Sequence, residues 1–189
     1  RLGGQLLTAG EAPRKAEMKN AVIAMGEKAK LLGVDIRMNT AVTPELIAEM
    51  KPHTVINAIG AEPVIPSIPG KDKTFVVNSH DVLDGVAEVS GTVVVIGGGM
   101  VGMETAEYLA EKGAKVTVLE MLPDFCADMG STRKICVTES IYAAGITPVT
   151  EVTVTEIKDG CVVGLKDKKE TEFPCYYAVM AVGAKRRDG

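Results

Sequence analysis

Apolar positions along this chain follow two rhythms, and the switches between them mark out its elements. From Lys15 to Leu32 the apolar residues Val22, Met25, Ala29 and Leu32 recur at helical spacing, and Gly33 ends the run. Val34 to Met38 then reads as a short strand. Thr43 is placed to cap a second short helix with Pro44 at its first position, where a missing N–H costs nothing. His53 to Ile59 is an apolar strand that ends at Gly60. Pro63, Pro66, Pro69 and Gly70 punctuate a linker after it.

A second block begins at Thr92 to Ile96, a β-branched strand that runs into a glycine turn. Met103 to Lys112 is a helix with Met103, Ala106, Leu109 and Ala110 on one face, stopped by Gly113. Lys115 to Leu119 is the next strand, and Ser131 to Ala144 the next helix, ended by Gly145. Three β-rich pieces follow: Val152 to Ile157, Cys161 to Leu165 and Tyr176 to Ala181. Asp159-Gly160, between the first two, is a hairpin signal.

The two blocks resemble copies of one plan. Helix, Gly33-Val34, Thr40-Ala41-Val42 and Ala58-Ile59-Gly60-Ala61 in the first answer to helix, Gly145-Ile146, Thr150-Glu151-Val152 and Ala181-Val182-Gly183-Ala184 in the second. The second copy opens with strand, glycine turn, helix and strand; the first has no such opening, and its Leu2-Gly3-Gly4-Gln5 start sits where the residues after Glu120 sit. The expected fold class is therefore α/β. It combines a Rossmann-like parallel sheet carrying a β-meander at residues 90–189 with a partial second Rossmann-like segment and linker at residues 1–89. The Val55 to Ile59 strand would lack a neighbour, and such edges invite self-association, so a homodimer is expected.

Composition narrows the function. The chain is 46% hydrophobic but only 4% aromatic with no Trp, so its core must be aliphatic, as buried parallel strands are. A net charge of −4 excludes a nucleic-acid partner, which needs a basic face. Lys185-Arg186-Arg187, the one dense basic cluster, reads as solvated. No run approaches the ~18 apolar residues of a membrane helix, and no leader resembles a signal peptide. Cys126, Cys136, Cys161 and Cys175 have neither metal nor dithiol spacing. They read as reduced, mostly buried cysteines of a cytoplasmic protein, and no metal site is expected.

The chemistry sits in the turn Gly97-Gly98-Gly99-Met100-Val101-Gly102. Gly97 lets the backbone bend out of the strand, Gly99 leaves room for a pyrophosphate, and Gly102 lets the new helix pack close to the strand. The helix start offers unpaired N–H groups and the positive end of its dipole to the phosphates. The turn lies between a β-branched strand and an amphipathic helix, the context that gives this motif its meaning. Glu120 ends the next strand about 20 residues on, where a carboxylate accepts from a ribose 2′-hydroxyl and repels a 2′-phosphate. The nearest following cation is Arg133, so the expected cofactor is NAD(H) rather than NADP(H). S-adenosylmethionine sites also use a glycine turn and a strand-end acid, but they usually lack the glycine at the position of Gly102. Glu104, read as lying in the first helical turn, serves either as a dipole stabiliser or as a nicotinamide-side contact.

Together, Gly97 to Glu104, Glu120, Ala58-Ile59-Gly60-Ala61-Glu62-Pro63 and Ala181-Val182-Gly183 resemble the flavin-dependent pyridine nucleotide oxidoreductases. In that superfamily an NAD domain is inserted into an FAD domain of the same fold. The resemblance places Ala58, Gly60 and Gly183 at the crossovers beside the cofactors. The Leu2-Gly3-Gly4-Gln5-Leu6 start without redox cysteines is similar to the C-terminal part of NADH:flavin oxidoreductases related to 2,4-dienoyl-CoA reductase, 2-enoate reductase and trimethylamine dehydrogenase. That resemblance implies hydride transfer from NADH to a flavin, with no side chain of this chain acting as acid or base. It also implies FAD, an upstream flavin domain of the same polypeptide, and FMN and an iron–sulfur cluster further upstream. Two alternatives remain open: a disulfide reductase of the same superfamily, and a non-catalytic nucleotide-sensing or electron-relay module.

Overall fold

The computed structural model describes residues 1–187. Three helices come first: α1 (Gly4–Ala9), α2 (Glu17–Leu31) and α3 (Pro44–Met50). Next come β1 (Ala61–Pro63), β2 (Val76–Asn78), α4 (Ser79–Leu83), β3 (Thr92–Ile96), α5 (Met100–Glu111), β4 (Lys115–Leu119), α6 (Ser131–Ala143) and β5 (Thr147–Val149). The chain finishes with β6 (Thr153–Lys158), β7 (Cys161–Lys166), β8 (Lys169–Pro174), β9 (Tyr177–Met180) and β10 (Ala184–Arg186).

The centre is a five-stranded sheet in the order β2-β9-β3-β4-β5, every pairing parallel. Strand alternation divides the core between its two faces. Val93 and Val95 of β3 join Met103, Ala106 and Leu109 of α5 and Ile141 of α6 on one side. Val94 and Ile96 join Ile157 and Val162 of the meander on the other. A parallel sheet covered on both faces explains why β3 is apolar at successive positions rather than alternating. The meander β6-β7-β8 is antiparallel, and Asp159-Gly160 makes its first turn, with Lys158 facing Cys161.

Several elements follow the sequence pattern closely. Thr43 accepts from the Leu46 N–H and Pro44 opens α3. Gly33, Gly113 and Gly145 follow the ends of α2, α5 and α6 with positive φ, where a Cβ would be strained. The α/β class, with its parallel sheet and meander, is as expected.

Other elements differ. Val34 to Met38 and His53 to Ile59 form no strand. A strand needs a ladder partner for its N–H and C=O groups, and none of the described residues pairs with either stretch. Ile56 is 86% exposed, so Val55 to Ile59 is an open apolar segment, and the edge argument for self-association does not apply to it. Helix α2 likewise lacks a sheet to cover: Val22 is buried, but Met25 and Leu32 of the expected apolar face are exposed. Strand β8 has no sequence signature because Lys169, Glu170, Thr171 and Glu172 face solvent and form no apolar pattern. Tyr177 to Met180 belongs to the parallel sheet, between β2 and β3, and not to the meander. The sheet also reaches back across residue 89, since β2 forms its edge. Of the cysteines, Cys126 and Cys175 are buried, Cys161 is half-buried and Cys136 is exposed.

The N-terminal segment makes charged contacts with α5 and the end of α4. Arg14 meets the buried carboxylate of Glu107 at 2.6 Å, and Lys15 pairs with Glu104, both acids lying on one face of α5. Asp84, just after α4, accepts from Arg1 at 2.7 Å and from the buried Thr8 hydroxyl at 2.8 Å.

This division of the core has a measurable consequence. Met103→Ala, at a side chain 1% exposed, is expected to cost about 2–5 kcal/mol in urea unfolding. Met25→Ala, at a side chain 67% exposed on α2, is expected to stay within about 0.5 kcal/mol. Comparable losses would mean that α2 covers a core.

Candidate functional site

Strand β3 delivers the chain to the glycine turn at the C-terminal edge of the sheet. There the connection through α5 leads to β4 on one side while β9 flanks β3 on the other. Open α/β sheets bind ligands at such a reversal of strand order. The Gly97 N–H donates to the Leu119 carbonyl at 2.8 Å, tying the turn to the end of β4.

Each glycine of the turn has a separate steric reason. Gly97 has φ +108°, and a Cβ there would overlap the Ala181 carbonyl oxygen. A Cβ on Gly102 would overlap the Gly97 carbonyl oxygen, so the helix lies directly against the turn. A Cβ on Gly99 would meet nothing within 4 Å. Its glycine therefore answers to no contact within the protein. Gly99 is the N-cap of α5 and no side chain caps the helix, so the first N–H groups, those of Met100, Val101 and Gly102, have no acceptor within the helix. Met100 and Val101 are themselves partly exposed.

Glu120 stands beside the turn. Its Oε2 accepts from the Gly98 N–H at 2.7 Å and its Oε1 from the Leu122 N–H at 2.8 Å. The loop after Glu120 also folds back onto the turn, where the Cys126 N–H donates to the Gly98 carbonyl at 2.9 Å. Burial pushes the Cys126 thiol up to about 11, with Asp128 adding to the rise. It remains protonated at neutral pH and is a packing residue, not a nucleophile.

Glu104 does not lie in the first turn of its helix. The helix begins at Met100 because Gly99 is its cap, so Glu104 falls in the second turn, beyond the strong reach of the dipole. Its carboxylate instead pairs with Lys15 and lies 3.5 Å from Arg133. Sequence reasoning missed these partners, and the Leu122 N–H as well. Lys15 is 89 residues from Glu104, and a backbone donor leaves no residue signature.

The other expected site residues, Ala58, Gly60 and Gly183, lie on the two crossovers and not in the turn itself. Gly183 sits in the crossover after β9, where its carbonyl accepts from the Val64 N–H at 2.9 Å, and Gly60 accepts from the Arg187 N–H at 3.1 Å. These contacts flank the antiparallel pair β1-β10, so the two crossovers run together as one ribbon. Ala58 and Gly60 line a different cleft of about 590 Å³, with Gly3, Gln5 and His80 among its walls. Among the described residues no cluster of side chains could hold a metal ion, and no helix is long and apolar enough to cross a membrane.

Known proteins are similar to this chain in sequence and fold. The chain is 39% identical over 184 residues to a bilirubin reductase of Mediterraneibacter gnavus, covering 97% of this chain and 29% of that protein. It is 41% identical over 187 residues to an NADH oxidase of Thermoanaerobacter brockii, covering 96% of this chain and 29% of that one. The structure superimposes on 2-naphthoyl-CoA reductase in complex with 2-naphthoyl-CoA with a TM-score of 0.90 at 28% identity, covering 96% of this chain and 28% of that one. The chain thus spans less than a third of the length of these relatives. Residues 45–188 match the pyridine nucleotide-disulphide oxidoreductase family. The chain belongs to that family of flavin-dependent pyridine nucleotide oxidoreductases.

Proposed function

We propose that this chain is the NAD(H)-binding portion of a flavoprotein oxidoreductase that passes hydride from NADH to a flavin. The observation that carries the reading is the open space at Gly99, in front of an uncapped helix start and beside a strand-end carboxylate. A dinucleotide pyrophosphate fits there: it is anionic and needs backbone N–H donors, and a Cβ would intrude on its space.

The parts divide the work. Met100, Val101 and Gly102 donate to the pyrophosphate, Gly99 admits it, and Glu120 accepts from the ribose hydroxyls. Glu120, after β4, would hold the ribose on one side of the switch point, and Gly183, after β9, would flank the nicotinamide side on the other. Once bound, NADH supplies the hydride, and the protein's part is to place the nicotinamide. No acid or base is assigned among the side chains. Glu104 is held by Lys15 and Arg133, so it positions the N-terminal segment against α5.

FAD fits the chain less completely. A cradle for it needs a second strand, glycine turn and helix start, and among the described residues β3, Gly97–Gly102 and α5 are the one such set. Gly60, Gly183 and Ala58 can line a flavin's surroundings, while its pyrophosphate would be held by an upstream flavin domain of the same polypeptide. Kinship with the enoate and dienoyl-CoA reductases, and with it the FMN and iron–sulfur centre, belongs to this proposal. It is supported by the resemblance of nearly the whole chain to reductases several times its length.

Calorimetric titration tests the reading. NADH is expected to bind at least about tenfold more tightly than NADPH, because a 2′-phosphate would face the Glu120 carboxylate. Gly99→Val is expected to weaken NADH binding about 100-fold or more, through the lost backbone hydrogen bonds to the pyrophosphate. Its circular dichroism should be unchanged, since the branched side chain enters space the protein leaves empty. Undiminished binding by this variant would put the phosphate site elsewhere. The purified chain is also expected to be colourless, and a stoichiometric flavin absorption band would contradict the assignment of the flavin cradle to an upstream domain.

A further inference from the structure

The middle positions of a G-x-G-x-x-G turn are ordinarily free to vary, yet position 98 here is also glycine. Its backbone does not demand it: Gly98 is absent from the positive-φ residues, and Gly97 is the left-handed one. What demands it is Glu120. A Cβ on Gly98 would lie 2.8 Å from the Glu120 Cβ and 3.1 Å from its Oε2. The glycine lets the acid come close enough to take the Gly98 N–H at 2.7 Å. The second oxygen takes the Leu122 N–H at 2.8 Å, so both ends of the carboxylate are fixed by backbone donors on opposite sides.

We propose that this clamp is a specificity determinant: the Gly98 and Leu122 N–H groups lock the Glu120 carboxylate where it discriminates NADH from NADPH. The proposal rests on the NAD(H) reading above. Each carboxylate oxygen keeps acceptor capacity after one backbone hydrogen bond, so ribose hydroxyls can still be bound with no side-chain rotation to arrest. A 2′-phosphate gains no such accommodation. In a site with a free acid, the side chain could rotate toward solvent and let the phosphate in at modest cost. Here rotation breaks two hydrogen bonds to a charged acceptor and unfastens the turn, so the repulsion is kept. Gly98 and Leu122 are positioning residues in this scheme, and Glu120 is the group that meets the cofactor.

The distinguishing measurement is the ratio of NADPH to NADH dissociation constants. It is taken by calorimetry on the wild-type chain, Gly98→Ala, Leu122→Pro and Glu120→Gln, with folding checked by circular dichroism. Gly98→Ala keeps the charge and removes the close approach; Leu122→Pro keeps the charge and removes one donor; Glu120→Gln removes the charge. The ratio is expected to fall about tenfold in either clamp variant, the scale of one hydrogen bond to a charged group. It should collapse toward unity in Glu120→Gln. If Gly98→Ala does not fold, Leu122→Pro, which alters an exposed loop side chain, decides the matter alone. A clamp that merely braced the turn would lower both affinities in parallel and leave the ratio unchanged, and that result, or unchanged affinities, overturns the proposal. A wild-type chain that binds neither nucleotide overturns the NAD(H) reading itself, and the clamp with it.

Discussion

Helix α5 can lie against the end of β3 only because position 102 carries no side chain. The Gly97 carbonyl oxygen occupies the place where a Cβ would be. That approach aims the helix start at the edge of the sheet, and it buries Met103, Ala106 and Leu109 against Val93 and Val95. One glycine thus joins the packing of the core layer between α5 and the sheet to the position of the N–H groups at the helix start. The loop after β4 completes the arrangement, since Glu120 and Cys126 both bond to the backbone of Gly98.

The site has two kinds of glycine. A Cβ at Gly97, Gly98 or Gly102 would crowd atoms of the protein itself, while one at Gly99 would meet no atom of the described residues within 4 Å. Fold and function can therefore be separated position by position. Damage at 97 or 102 is damage to packing, whereas damage at 99 falls on whatever occupies the open space. The charged contacts of α5 belong to a third class. Glu104 and Glu107 hold the N-terminal segment through Lys15 and Arg14, so the helix that receives the nucleotide is also the helix on which that segment docks.

Local signals were legible in the sequence and distant ones were not. The turn, its strand and its acid announce themselves within about 30 residues, and the structure places Glu120 beside Gly98 as that spacing implies. Helix stops at Gly33, Gly113 and Gly145 follow from the left-handed backbone that glycine tolerates. Val34 to Met38 and His53 to Ile59 have strand composition, but composition does not supply a neighbour, and without a ladder they stay irregular. Strand β8 fails in the opposite sense, since β7 supplies its partner and its own residues carry no apolar pattern. Helix α5 starts at Met100, three residues before its apolar face begins at Met103, which moves Glu104 out of the first turn, and Lys15 lies far away in the chain. The roles of Leu122 and Cys126 run through main-chain N–H groups, which no side chain advertises.

The central claim is that the start of α5, and not the cleft lined by Ala58 and Gly60, receives NAD(H). Amide chemical shifts of the isotopically labelled chain, followed during titration with NADH, test it directly. The expected result is that the largest shifts fall on the N–H groups of Met100, Val101 and Gly102, with Gly98 and Leu122 following as Glu120 engages the ribose. Shifts concentrated on Gly3, Gln5, Ala58 and Gly60, with the glycine turn silent, would contradict it.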